Sequence, residues 1–169
     1  MSRTKRYETV RLFGLIPLIV SLDMAVKLIV TRFFMGTKLL LFGGIIGFKP
    51  HINREQMGIN MELSRLGMSI SNEANIVVNI LILITVGALL WRLNYKRIYG
   101  KPFAVGSAIG IASCICSLYD KIIWGGSPDY IYLLNKYIID LKDIGLVTGS
   151  LICVITFFKT ERDRKKTGK

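Results

Sequence analysis

Two aspartates, Asp129 and Asp143, bracket a short stretch between two apolar runs, in Ser127-Pro128-Asp129-Tyr130 and Asp140-Leu141-Lys142-Asp143-Ile144. A chain that leaves and re-enters one surface over this interval lets the two carboxylates meet. Carboxylates in contact cannot both ionise cheaply, so they share one proton. One group is then a base toward a water and the other an acid toward a carbonyl. Such a pair hydrolyses a peptide bond without metal, serine or cysteine. The plainer reading of the same residues is structural, because loop aspartates often sit solvated in turns and Asp143 is well placed to cap a helix.

Asp23 and Lys27 lie four residues apart, which stacks them on one helix face as an ion pair. Asp120 and Lys121 close a later apolar run at a similar depth, so the two pairs together suggest a four-charge cluster between helices. A carboxylate beside an ammonium makes a poor proton carrier, which favours a structural cluster. The alternative is a proton or cation path, and deeper relays for it are limited to Asn75, Asn79 and scattered hydroxyls. His51 is the single histidine. It cannot build a multi-histidine metal site and reads as a solvated residue at a wet boundary, since serine chemistry through it lacks identifiable partners. Cys114, Cys116 and Cys153 fall within apolar runs without CxxC spacing and read as small core residues. P-loop, HExxH and GxSxG motifs are missing, and Gly43, Gly44 and Gly47 do not form GxGxxG. Neither a metal nor a cofactor is expected.

The elements that must position these groups follow from composition. Of 169 residues, 51% are hydrophobic and only 20% charged, with a mean hydropathy of +0.46. A water-facing surface draws about a quarter to a third of its residues from charged types, so this apolar excess points to an integral membrane protein. The net charge of +12 does not indicate nucleic-acid binding, because the cations do not line one face. Arg3, Lys5, Arg6 and Arg11 precede the first apolar run, Arg92, Lys96, Arg97 and Lys101 divide the second from the third, and others fill 159–169. The positive-inside rule keeps all three regions cytoplasmic.

A helix needs roughly 20 mostly apolar residues to cross a bilayer. Four stretches qualify, at about 12–31, 74–91, 102–119 and 141–158, the first of them interrupted by Asp23 and Lys27. The basic start resembles a signal peptide, yet apolar sequence resumes beyond Asp23, so it reads as a retained first span. The expected fold is an all-α membrane protein, a single domain over 1–169, with both termini inside. Outside segments cover about 33–73 and 121–140. In the longer one, 39–48 is apolar but too short to cross and glycine-rich, suggesting interfacial strands or a loop. Met57, Asn60, Met61, Ser64 and Met68 recur at helical intervals, suggesting a short surface helix over 57–70. Trp124, Tyr130, Tyr132 and Tyr137 suggest an aromatic belt.

The order of these features resembles the lipoprotein signal peptidases, also called signal peptidase II, a family of four-helix membrane aspartic proteases. Asp23-Met-Ala-Val-Lys27 matches the family's D-x-x-x-K, and Asn53 is the nearest candidate for its N-x-G-A-A-F stretch. The small-residue run 112–116 followed by Ser117-Leu118-Tyr119-Asp120-Lys121 stands for N-x-x-D-R, with Ser117 in place of Asn and Lys121 in place of Arg. Asp129-Tyr130-Ile131 matches V-D-F/Y-I. Ile139-Asp140-Leu141-Lys142-Asp143 matches F-N-x-A-D, with Asp140 for Asn and Lys142 for Ala. The resemblance implies a divergent member of the bacterial cell membrane. It implies cleavage of the signal peptide of a diacylglyceryl-modified prolipoprotein by Asp129 and Asp143, supported by Asp23, Lys27, Asn53, Ser117, Asp120, Lys121 and Asp140. The enzyme would need no cofactor, act as a monomer, and meet its lipidated substrate from within the membrane lipids. The alternatives are a non-catalytic scaffold or accessory protein of the same fold and, less well matched because no discontinuous helix pair is present, an ion-coupled transporter.

Overall fold

The computed structural model describes residues 14–54, 71–95 and 99–167. These form four helices, α1 (Leu15–Phe33), α2 (Asn72–Tyr95), α3 (Gly100–Trp124) and α4 (Leu141–Thr167), and four short strands. Helices α2, α3 and α4 contain stretches long and apolar enough to cross a membrane, namely Asn72–Leu93, Gly100–Trp124 and Leu141–Lys166. Helix α1 has 19 residues and carries Asp23, Lys27 and Arg32. The protein is thus a mostly helical membrane protein with a small sheet. The surface helix expected over 57–70 lies outside the described residues.

Local sequence sets the helix ends. The Ser71 hydroxyl accepts the Ala74 N–H at 3.2 Å and starts α2. Gly125 stops α3 in the left-handed region, at φ 63°. Helix α4 continues well past its apolar stretch because Lys, Arg and Glu are good helix formers in the solvated turns up to Thr167.

Helix α3 is the centre of the bundle, with α1, α2 and α4 each packed on it. Its buried face is built of small side chains, Ala104, Ser107, Ala108, Ala112, Ser113 and Cys116. Small residues let helix backbones approach closely, which is how packing energy is gained where water does not drive association. The tightest approach is to α4, where a Cβ on Gly106 would lie 2.8 Å from the Gly149 carbonyl oxygen and a Cβ on Gly149 2.8 Å from that of Gly106. Large apolar residues such as Leu81, Ile84, Leu151 and Ile155 face outward, as lipid-contacting helices require.

The strands β1 (Leu39–Leu41), β2 (Ile46–Asn53), β3 (Ser127–Leu133) and β4 (Tyr137–Ile139) form one antiparallel sheet in that order. The apolar stretch 39–48 therefore supplies an edge hairpin, turned through a 3₁₀ segment at Phe42–Gly44. Strand β3 packs on α3 and α1, which seats the sheet on the bundle. Of the expected aromatic belt, Tyr130 is instead buried, tilted against Phe48 at a 6.2 Å centroid distance. Period-two alternation puts Tyr130 and Tyr132 on the same face of β3, but the buried part of the strand ends at Tyr130, and Tyr132 lies half-buried beyond it with its ring paired with Lys49.

Candidate active site

Strand β3 begins just beyond the α3 stop, and Gly126 lets β2 come close, since a Cβ there would stand 2.6 Å from the Asn53 carbonyl oxygen. The resulting register pairs Asn53 with Ser127 and His51 with Asp129. Asp129 is buried. Its Oδ2 accepts from Asn53 Nδ2 at 3.1 Å and its Oδ1 from Ser127 Oγ at 2.6 Å. Burial holds the Asp129 carboxyl above the ordinary aspartate range, against the opposing pull of the Lys142 ammonium and of the Ser127 and Asn53 hydrogen bonds.

The start of α4 carries the second group. The Asp143 N–H donates to Asp140 Oδ1 at 3.1 Å, and the Asp140 N–H donates to Asp143 Oδ2 at 3.3 Å. This is a reciprocal capping box, so Asp140 is the N-cap and Asp143 the third helical residue rather than the cap itself. The arrangement aims the Asp143 carboxylate at the sheet. Asp129, Asp140 and Asp143 each offer an oxygen within 4.8 Å of the others. Asp143 keeps 41% of its side chain exposed, whereas Asp129 keeps 4%.

Beneath this pair lies a brace. The fully buried Lys27 Nζ sits 2.6 Å from Asp23, 2.7 Å from Asp120 and 2.8 Å from Asp140. Asp23, Lys27 and Asp120 therefore meet as the sequence suggests, but the expected fourth member does not join Lys27. Lys121 turns back along α3 and donates to Ser117 Oγ at 2.9 Å. The second cation on Asp120 is Lys142, at 3.2 Å. Lys142 also lies 2.6 Å from Asp140. Burial alone would raise the Asp140 carboxyl, but the Lys142 and Lys27 ammonium groups outweigh it and hold it below the ordinary range. Three oxygens so close would suit a cation, and the Lys142 ammonium supplies one, 3.7 Å from both Asp129 and Asp143.

His51 is half-buried, opposite Asp129 in the ladder, with Nδ1 shielded from solvent and unpartnered among the described residues. It is not the solvated side chain expected. Ser127 and Lys142 are the functional candidates that spacing alone misses. A lysine two residues after an N-cap ordinarily reads as a solvated helix start, and only the sheet above it makes a buried position there.

Fold and site together define a helical membrane protein with paired aspartates where a small sheet meets the bundle. A family model described as signal peptidase (SPase) II matches residues 15–159, and the chain belongs to that family. The family is one of aspartic proteases, and its members cleave lipoprotein signal peptides. Two solved structures described as bacterial membrane enzymes share the fold. One aligns with a TM-score of 0.70 at 18% identity, covering 92% of this chain and 90% of its own, and the other at 0.67 and 16%, covering 89% and 92%. No curated protein matches the sequence significantly.

Proposed function

We propose that this protein is a membrane aspartic endopeptidase that cleaves the signal peptide from diacylglyceryl-modified bacterial prolipoproteins, with Asp129 and Asp143 activating water. The observation that carries this is the meeting of two carboxylates from separate elements, one buried and one open to solvent, within 4.8 Å. The pair shares one proton, so one carboxyl acts as the acid toward the scissile carbonyl oxygen and the other as the base toward water. The water oxygen bonds to the carbonyl carbon as the base takes its proton and the acid protonates the carbonyl oxygen. Collapse breaks the C–N bond as the base passes its acquired proton to the leaving nitrogen and the acid recovers its own. Asn53 and Ser127 orient Asp129, Asp140 orients Asp143, and Asp23, Lys27 and Asp120 fix the helices beneath. Ser117 and Lys121 close the α3 end of the site.

In this reading α1 crosses the bilayer as a fourth span, both termini lie in the cytoplasm of a bacterial cell, and the chain works as a monomeric single domain without cofactor. The lipidated substrate arrives laterally. The exposed Leu39, Leu40, Leu41, Phe42 and Ile45 along the β1–β2 hairpin present it with an apolar edge at the interface. The second reading is a non-catalytic scaffold of the same fold, favoured by the ammonium lodged among the carboxylates. Purified protein incubated with a lipidated prolipoprotein and followed by gel shift separates the two. Asp129→Asn and Asp143→Asn should each abolish cleavage while leaving a folded, inserted protein, because an amide keeps the shape but cannot exchange the proton. Full processing by either variant refutes the dyad.

A further inference from the structure

The mechanism above leaves one buried ion without a task. The Lys142 side chain is 8% exposed, and its Nζ donates to Ser127 Oγ at 2.5 Å and Asp140 Oδ2 at 2.6 Å, with Asp120 Oδ2 at 3.2 Å. An ammonium has three protons, and these three partners account for them. Asp129 Oδ1 and Asp143 Oδ1 both stand at 3.7 Å, beyond hydrogen-bond distance. Lys142 therefore reaches Asp143 through its charge and Asp129 both through its charge and through Ser127, whose hydroxyl donates to Asp129 Oδ1 at 2.6 Å. Its partners come from α3, β3 and the α4 cap, so its position is fixed by the fold rather than by the two aspartates it faces.

We propose that Lys142 is a positioning residue whose built-in positive charge sets the pH window in which the Asp129 and Asp143 pair works, an inference that rests on the peptidase reading. A cation beside a carboxylate favours the ionised form. The singly protonated pair that the reaction needs is thus reached at a lower pH than burial alone would permit. The other charged groups around Lys142 do not replace it. Lys27 of α1 is already shared among Asp23, Asp120 and Asp140, Lys121 of α3 is turned to Ser117, and His51 of β2 faces Asp129 only across the ladder. The negative groups nearby, Asp120 and Asp140, would hold the proton on the pair more tightly if Lys142 were gone.

The test compares Lys142→Met, which keeps the stem and removes the charge, with Lys142→Arg, which keeps the charge. Two readouts are taken: the pH profile of kcat/KM for cleavage of a lipidated prolipoprotein, and the titration of the Asp129 carboxyl carbon by NMR in micelles, which does not depend on turnover. For unit charges at this spacing, between the dielectric of water and that of a protein surface, Lys142→Met should move the acid limb and the Asp129 titration upward by about one to three pH units. Lys142→Arg should keep both within about half a unit. Should Lys142→Met fail to fold, the double variant Lys142→Met/Asp140→Asn removes the ion pair as a neutral unit and should give a smaller upward shift of the same sign. An Asp129 titration that stays put in the folded charge-removing variant overturns the inference, as does a fall in kcat with an unmoved profile, which would mark Lys142 as merely structural. A parent protein that cleaves at no pH while its Asp129 titration still answers to Lys142 overturns the peptidase reading instead and leaves the charge coupling standing.

Discussion

Replacing Lys27 by methionine removes the ammonium that joins three elements while keeping most of the side chain's volume. Lys27 is fully buried and lies within 2.8 Å of Asp23, Asp120 and Asp140. Three broken pairs do not mean three penalties. Asp120 and Asp140 retain Lys142 at 3.2 and 2.6 Å, whereas Asp23 loses the one ammonium within ion-pair distance of it among the described residues. The loss should therefore match a single buried pair broken by removing one partner, about 3–5 kcal/mol. At about 2–4 °C per kcal/mol for a chain of this size, the melting temperature should fall by about 6–20 °C. A thiol-reactive dye in detergent reads this directly, because Cys116 is buried and Cys114 and Cys153 are partly so. Adding Asp23→Leu to Lys27→Met should recover most of the loss, since it removes the stranded carboxylate. A fall below about 3 °C, or a double variant no more stable than the single one, would refute this account of the brace.

Asn53→Ala removes one hydrogen bond to a carboxylate, worth about 1–3 kcal/mol, and should slow cleavage roughly 5- to 150-fold with little change in melting temperature, measured by gel shift and the same dye. Stability should also depend on acidity with a sign set by Asp140. Its carboxyl titrates below the ordinary value of 3.8, so its contribution is complete above that pH and is lost as the pH falls through its lowered value. Asp129 acts oppositely, since its raised carboxyl favours the folded state more at low pH. Acid unfolding followed by circular dichroism should thus become shallower in Asp140→Asn, and an unchanged acid slope would count against the pairing. For the proposed orientation, a cysteine introduced at Lys136 should be labelled from outside intact cells and one at Arg162 only after permeabilisation; the reverse pattern would invert the topology.

The membrane class and the apolar segments within α2, α3 and α4 were legible because lipid leaves a helix little choice of composition. The sheet was half legible. Glycines and a short apolar run at 39–48 exclude a crossing helix, but nothing local says that β2 pairs with β3 some 80 residues on. The same non-local pairing hides Lys142, whose sequence position reads as a solvated first turn until Ser127 and Asp129 are laid over it. Lys121 was misleading for the opposite reason. Adjacency to Asp120 in sequence places the two about 100° apart around a helix, so one faces α1 while the other does not. The α4 start was ambiguous because Asp140 and Asp143 both suit a cap, and only the reciprocal hydrogen bonds show that each serves the other.

The brace also has a history in time. Lys27 and Asp120 are separated by 93 residues, and a ribosome adds about 5–20 residues per second. In the proposed four-span arrangement, α1 must enter the membrane about 5–20 s before its partner on α3 has been made. During that interval only Asp23, one turn away, offsets the lysine. A charge near the middle of a span costs about 2.5–3.5 kcal/mol on insertion scales, so the young α1 is poorly held by lipid alone. A cysteine introduced at Leu22 should be labelled by a water-soluble maleimide more readily in chains arrested before Asp120 than in chains extended through α4. Equal labelling of the two would mean that α1 settles without waiting for α3.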